Sequence, residues 1–281
     1  MGKGSDFGRV MPMRPYFVCT TPRSGSTLLC EALTLTGVAG RPAEYFEALS
    51  HSNLPRQPHE YFDGATDPLV AALLPPAPTG AVMPELMSAR SYRDYLGWVR
   101  AEGTTPNGVF GAKLMWGHLA DLIDRLESDR DRPFEALAGE FPGARYVRVL
   151  RTNKPRQAIS LWKALQTQRW RDDGVDGSGA ERVPEYHFGA IDHLVGQLAE
   201  HEAAWDGAFE RAGIEPLVLT FDEIADDLPG ALRRVLGLLG VDARGVAPVL
   251  PAMRRQADVS SLEWLQRYIA EREQRHAQPV G

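Results

Sequence analysis

The sequence predicts an α/β fold, a central and mainly parallel sheet flanked by helices, and three observations carry that expectation. Short apolar runs of strand length alternate with longer stretches of helical period, the pattern of strands joined by crossover helices. The first, in YFVCTTPRSGSTLLCEAL (residues 16–33), runs through a small, turn-prone loop into an apolar helix. That layout is P-loop-like, because backbone N–H groups at a helix start cradle an anion. ARYVRVLRTNKPRQAISLWKAL (residues 144–165) repeats the strand–turn–helix order.

Along the chain, strands are expected at Tyr16–Thr20, Val109–Met115, Arg145–Leu150 and Pro216–Phe221, each a short apolar run bounded by turn residues. Helices are expected at Ser26–Thr36, Tyr92–Ala101, His118–Leu126, Pro155–Gln168, Ala190–Ala212, Asp227–Leu239 and Ser260–Arg275. Asp222 and Asp226 are candidate caps near the helix after the last strand. The proline-rich residues 51–84 read as an irregular loop, and SDRDRP (128–133) as a charged surface connection. RDDGVDGSGAERVP (171–184) reads as a lid or a disordered segment.

A length of 281 residues suits one large α/β domain or two small ones. With no repeat and no linker, one domain over 1–281 is expected, residues 1–14 being a flexible N-terminal segment. The net charge of −6 argues against a nucleic-acid partner. No apolar run approaches the roughly 20 residues that span a bilayer, and no signal core precedes the first strand. Stable membrane insertion is therefore not expected. The two cysteines, Cys19 and Cys30, read as reduced and buried, which fits a cytoplasmic location.

Aligned on G-x-x-x-x-G-K-[ST], Gly25 and Thr27 match, but Thr20 replaces the first glycine and Ser26 the lysine. In triphosphate chemistry that lysine reaches the terminal phosphates and a strand-end aspartate helps hold magnesium. Here the strand YVRVL is followed by Arg151. The loop suits an anion gripped by charge and hydrogen bonds. Pro22 fixes the turn, Gly25 admits a close approach, Ser24, Ser26 and Thr27 add hydroxyls, and Arg23 adds charge. A plain Ser/Gly turn capped by Ser24 or Ser26 has the same composition. Arg151 and Ser160, at a strand end and in the next helix, make a second oxyanion site or else a surface ion pair and a solvent-facing serine.

PRSGST together with LR-x8-S resembles the two signatures of sulfotransferases that use 3′-phosphoadenosine 5′-phosphosulfate (PAPS). The resemblance implies that the first loop binds the 5′-phosphosulfate and that Arg151 and Ser160 bind the 3′-phosphate. It also implies PAP as product and no metal. PLVLTFDEIADDLPGALRRVLGLLGV (216–241) is similar to the segment that closes that family's core. GVAGRPAEYFE, PNGVFGAKLMW, QAISLWKALQTQRW and RRQAD, in this order, resemble the bacterial trehalose 2-sulfotransferase family over residues 16–268. Activity on the 2-hydroxyl of trehalose and a homodimer are what that resemblance implies; another glycan or glycolipid is the alternative acceptor. A P-loop nucleotide kinase and a non-catalytic nucleotide binder are the rivals from other classes.

The resemblance also implies a glutamate general base, matching Glu44 in RPAEYF. Helix 26–36 carries the chain roughly 16 Å from the loop, and five or six extended residues at roughly 3.3 Å each bring Glu44 back. Glu47 is its nearby competitor. Lys113, in an otherwise apolar strand, either stabilises charge at the sheet's carboxyl edge or lays its stem along the strand with its ammonium in solvent. Arg255 and Gln256 match the family's late nucleotide-contacting element. Tyr45, Phe46, Trp116 and Trp170 are sugar-stacking surface or core.

Overall fold

The computed structural model describes residues 13–63, 67–76, 84–170, 182–242 and 259–277. In chain order, β1 (Arg14–Thr20) leads into α1 (Ser26–Leu35), a 3-10 turn (Pro58–Phe62), α2 (Pro68–Leu73), α3 (Pro84–Ser88) and α4 (Tyr92–Gly103). Then come β2 (Val109–Met115), α5 (Trp116–Arg125), α6 (Pro133–Glu140), β3 (Arg145–Leu150) and α7 (Lys154–Thr167). The chain goes on through α8 (Phe188–Ala212), β4 (Leu217–Thr220), α9 (Phe221–Asp226), α10 (Leu228–Leu239) and α11 (Val259–Ala277).

The sheet is parallel throughout, in the order β2-β1-β3-β4. The chain leaves β1 toward β2 on one side, and β3 enters on the other. The carboxyl ends of β1 and β3 therefore border the crevice where parallel sheets collect ligands.

Strand alternation divides the core between the sheet's two faces. Tyr16 and Val18 pack with Val147, Val149 and Leu219 against α1 and α10. Phe17 and Cys19 face the other way, into an aromatic layer with Phe110, Phe141, Tyr146, Trp205 and Phe209. Cys19 and Cys30 are both buried and free, and they belong to opposite layers with the sheet between them. A third cluster joins α7, α8 and α11 around Trp162, Leu194 and Tyr268.

All four expected strands are present, the last trimmed to Leu217–Thr220 because Phe221 opens α9. The reading of 51–84 as irregular is corrected. Pro58, Pro68 and Pro84 each open a helical turn, a position that suits a residue with fixed φ and no N–H. Residue 133 likewise starts α6, which buries Phe134 and Leu137 and was not expected. Asp222 and Asp226 are not the caps. Thr220 forms a capping box with Glu223 for α9, and Asp227 caps α10. Arg14, placed in the flexible N-terminal segment, is the first residue of β1, and its guanidinium donates to the carbonyls of Leu239 and Asn107. The remaining residues of that segment, apart from Met13, lie outside those described, as do 171–181 of the expected lid.

Candidate active site

A cavity of about 870 Å³ opens at the carboxyl end of the sheet, near the upper end of the range for small-molecule sites. Its floor is the loop after β1. Gly25 is the N-cap of α1 at φ 86°, and no side chain caps that helix. Its first-turn N–H groups thus point out of the helix without intrahelical partners, as an anion site requires.

The loop is braced from behind by two helices. Trp205 Nε1 of α8 donates to the Thr20 carbonyl at 3.0 Å. Gln157 of α7 donates from Nε2 to Thr21 Oγ1 at 2.9 Å and to the Pro22 carbonyl at 2.7 Å. Inside the turn, Thr20 Oγ1 and Ser24 Oγ are 2.5 Å apart. Arg23 sits at φ 61°, a left-handed conformation that costs a non-glycine residue about 1–3 kcal/mol. Its contacts hold it there. Nε donates to Ser160 Oγ at 2.9 Å, Nη1 to the Trp170 carbonyl at 2.6 Å, and its own carbonyl accepts from Arg151 Nη1 at 3.2 Å. Arg151 also lies 4.1 Å over the Phe221 ring. The two expected anchors, Arg23–Thr27 and Arg151 with Ser160, thus form one connected surface lining the cavity.

The chain after α1 returns in extended form along β2. Ala43 bridges Ala112, and its carbonyl accepts the Lys113 N–H at 2.9 Å. Gly40, at φ 72°, permits this approach, since a Cβ there would lie 2.6 Å from the Gly111 nitrogen. The return brings Glu44 to loop level. Lys113, only 4% exposed, donates from Nζ to Glu44 Oε1 at 2.7 Å and to Thr27 Oγ1 at 2.9 Å. Its ammonium is therefore at the sheet's carboxyl edge, not in solvent. Beside it, burial and the Glu44 charge push the Glu47 carboxyl up to about 7.

Among the expected aromatic residues, Trp170 lines the cavity, whereas Tyr45, Phe46 and Trp116 do not. Tyr45 and Phe46 are buried in the aromatic layer, and Trp116 packs edge-on against Trp205 at 5.1 Å. Arg255 and Gln256 lie outside the described residues. The cavity also holds residues with no motif to announce them: Arg56, Tyr61, His118 and His201. Burial, with Arg56 nearby, holds the His118 and His201 imidazoles down to about 4, so both are neutral at pH 7. Among the described residues, no group of three or more His, Cys, Asp and Glu side chains is placed to hold a metal ion. No helix there is long and apolar enough to cross a membrane.

A crevice at the switch point of a parallel sheet, floored by an uncapped helix start and lined by Arg23 and Arg151, with a carboxylate and an ammonium beside it, is the geometry of an α/β enzyme of the group-transfer class. The Stf0 sulphotransferase family model matches residues 15–271, and the chain belongs to that family. It is 38% identical to the trehalose 2-sulfotransferase of Mycobacterium tuberculosis over 266 residues, 92% of this chain and 96% of that protein. It is 37% identical over 260 residues to the trehalose 2-sulfotransferase of Mycolicibacterium smegmatis, 90% of this chain and 93% of that one. Among solved structures, sulfotransferase STF9 from Mycobacterium avium matches with a TM-score of 0.43 at 14% identity, over 95% of this chain and 69% of that one. That likeness is too loose to bear on the site.

Proposed function

We propose that this enzyme moves the sulfuryl group of PAPS to a sugar hydroxyl, the 2-position of trehalose, with Glu44 as general base. The observation that carries the reading is the Lys113 contact pair, which sets the Glu44 carboxylate beside Thr27 at the anion loop. The similarity to two trehalose 2-sulfotransferases over more than nine-tenths of their length supports the acceptor.

In this reading the residues present fit the donor. Arg23, Ser24, Gly25, Ser26 and Thr27 receive the 5′-phosphosulfate, with Pro22 fixing the turn. Arg151 and Ser160 receive the 3′-phosphate by charge-assisted hydrogen bonds, aided by Arg255 and Gln256. The acceptor oxygen forms the new O–S bond as the S–O bond to the 5′-phosphate breaks. The hydroxyl proton passes to Glu44, and PAP leaves with the bonding pair. Lys113 holds Glu44 in register and supplies positive charge where the leaving oxygen gains negative charge. Glu47, half-buried in the cavity wall, contacts the acceptor.

The experiment is transfer from labelled PAPS to trehalose, with product mass and sulfate position read by mass spectrometry and NMR. A 2-sulfated product is expected, and absence of transfer to trehalose rejects the acceptor. A homodimer, a single domain over 1–281 and a cytoplasmic location complete the proposal; sedimentation of the purified chain tests the first.

A further inference from the structure

Three polar side chains on the cavity wall have no hydrogen-bond or ion-pair partner among the described residues. His118 comes from the first turn of α5, His201 from the middle of α8, and Arg56 from the segment before the 3-10 turn. They converge around Gly117, where a Cβ would meet Arg56 Nη1 at 3.0 Å and His201 Cε1 at 3.6 Å. His118 is 8% exposed, yet neither imidazole makes a hydrogen bond among the described residues. Arg56 makes no ion pair there, and its guanidinium lies 5.0 Å from the centre of the Tyr61 ring. His118 is buried, and Arg56 and His201 are half-buried. Buried polar groups are as a rule hydrogen-bonded, so a buried imidazole without a protein hydrogen bond, facing a cavity beside two further polar side chains, marks the place of a ligand.

We propose that Arg56, His118 and His201 form the acceptor-specificity subsite, gripping sugar hydroxyls next to the one that Glu44 deprotonates; this rests on the reading above that the acceptor is a sugar. The chemistry matches. A neutral imidazole offers one donor and one acceptor, as a sugar hydroxyl does, and a guanidinium adds donors only. Both imidazoles are neutral, so they recognise hydroxyls without attracting an anion into the acceptor space. His118 lies within the field of Glu44, which sets the cluster on the reacting side of the cavity. Gly117 lacks a side chain there, which lets the Arg56 guanidinium come close to the backbone of α5 beside His201.

The test compares the wild type with His118→Leu, His201→Leu and His118→Gln, using PAPS and trehalose. The Gln amide nitrogen reproduces the position of Nε2. Both Leu variants are expected to lower kcat/KM at least tenfold, with the loss carried by the KM for trehalose. PAP affinity and the circular dichroism spectrum should match the wild type. His118→Gln is expected to recover most of the loss, which a purely structural role for the ring would not produce. A trehalose KM unchanged in both Leu variants overturns the inference while leaving the proposed function standing. If the wild type does not sulfate trehalose, the acceptor assignment fails, and the same comparison is run on whichever of glucose, maltose, lactose and sucrose it does sulfate. An unchanged KM for that sugar overturns the subsite, and transfer to none of them overturns both.

Discussion

Lys113 Nζ stands 2.7 Å from Glu44 Oε1, joining the second strand of the sheet to a segment 69 residues earlier in the chain. The contact fixes what a substitution at Glu44 tests. Glu44→Gln keeps a carbonyl oxygen for Nζ to donate to, so the buried ammonium is not stranded, but the amide accepts no proton at neutral pH. Turnover is expected to fall by about 10²–10⁴-fold, the usual contribution of a general base, with PAP affinity nearly unchanged. Steady-state transfer and PAP calorimetry measure the two. Near-normal turnover would move the base elsewhere, with Glu47 the first candidate.

In the proposed donor complex Arg151 grips the 3′-phosphate, and Arg151→Ala would remove a charge-assisted hydrogen bond of about 1.5–3 kcal/mol from it. PAP should bind roughly 10- to 100-fold more weakly. The effect of Arg151→Ala on adenosine 5′-phosphosulfate, which has no 3′-phosphate, should be much smaller. An equal loss for both ligands would place Arg151 away from the 3′-phosphate.

The strands and the first loop are legible in the sequence because their signals are local: apolar runs of the right length and a Ser/Gly turn ahead of a helix. Glu44 is legible for a different reason: the resemblance of RPAEYF to the family's motif singles it out. Helix rise and strand rise only permit its return to the loop, and the parallel bridge of Ala43 to Ala112 is that return. What is hidden is set by tertiary contact alone. Gln157 looks like any helical glutamine until α7 is seen to turn it onto Thr21 and Pro22. His118 and His201 lie 83 residues apart on two helices, with no spacing to connect them. The proline-rich stretch misleads because composition does not tell a proline that opens a helix from one that breaks it.

The carboxyl of Glu47 gives the fold a pH dependence with a definite sign. Burial, and then the Glu44 charge, push it up to about 7 from the ordinary 4.5. Between those values the native state holds a proton that the unfolded chain has released. Stability from this group is therefore greatest below about 4.5, falls as pH rises through the window by at most about 1.4 kcal/mol per unit, and levels above 7. Urea titrations from pH 4.5 to 8 should show Glu47→Gln gaining on the wild type as pH rises. A difference of the same size at pH 5 and pH 8 would mean that Glu47 ionises in the folded protein as it does in the unfolded chain.

Gly25 links both anchors through one ring. Its φ of 86° is left-handed, and an added Cβ would come within 2.9 Å of Phe221 Cδ2. The same ring carries the Arg151 guanidinium at 4.1 Å. Gly25→Ala therefore strains the loop backbone and also pushes the platform under the second anchor. A stability loss of about 1–3 kcal/mol is expected, with weaker PAP binding. The two causes separate in the double variant with Phe221→Leu. A smaller side chain relieves the clash but leaves the backbone strain, so part of the stability should return while PAP affinity stays low, because Arg151 has lost its ring. Urea unfolding and PAP titration of the four proteins measure this. Strictly additive losses would show that the ring does not couple the two sites.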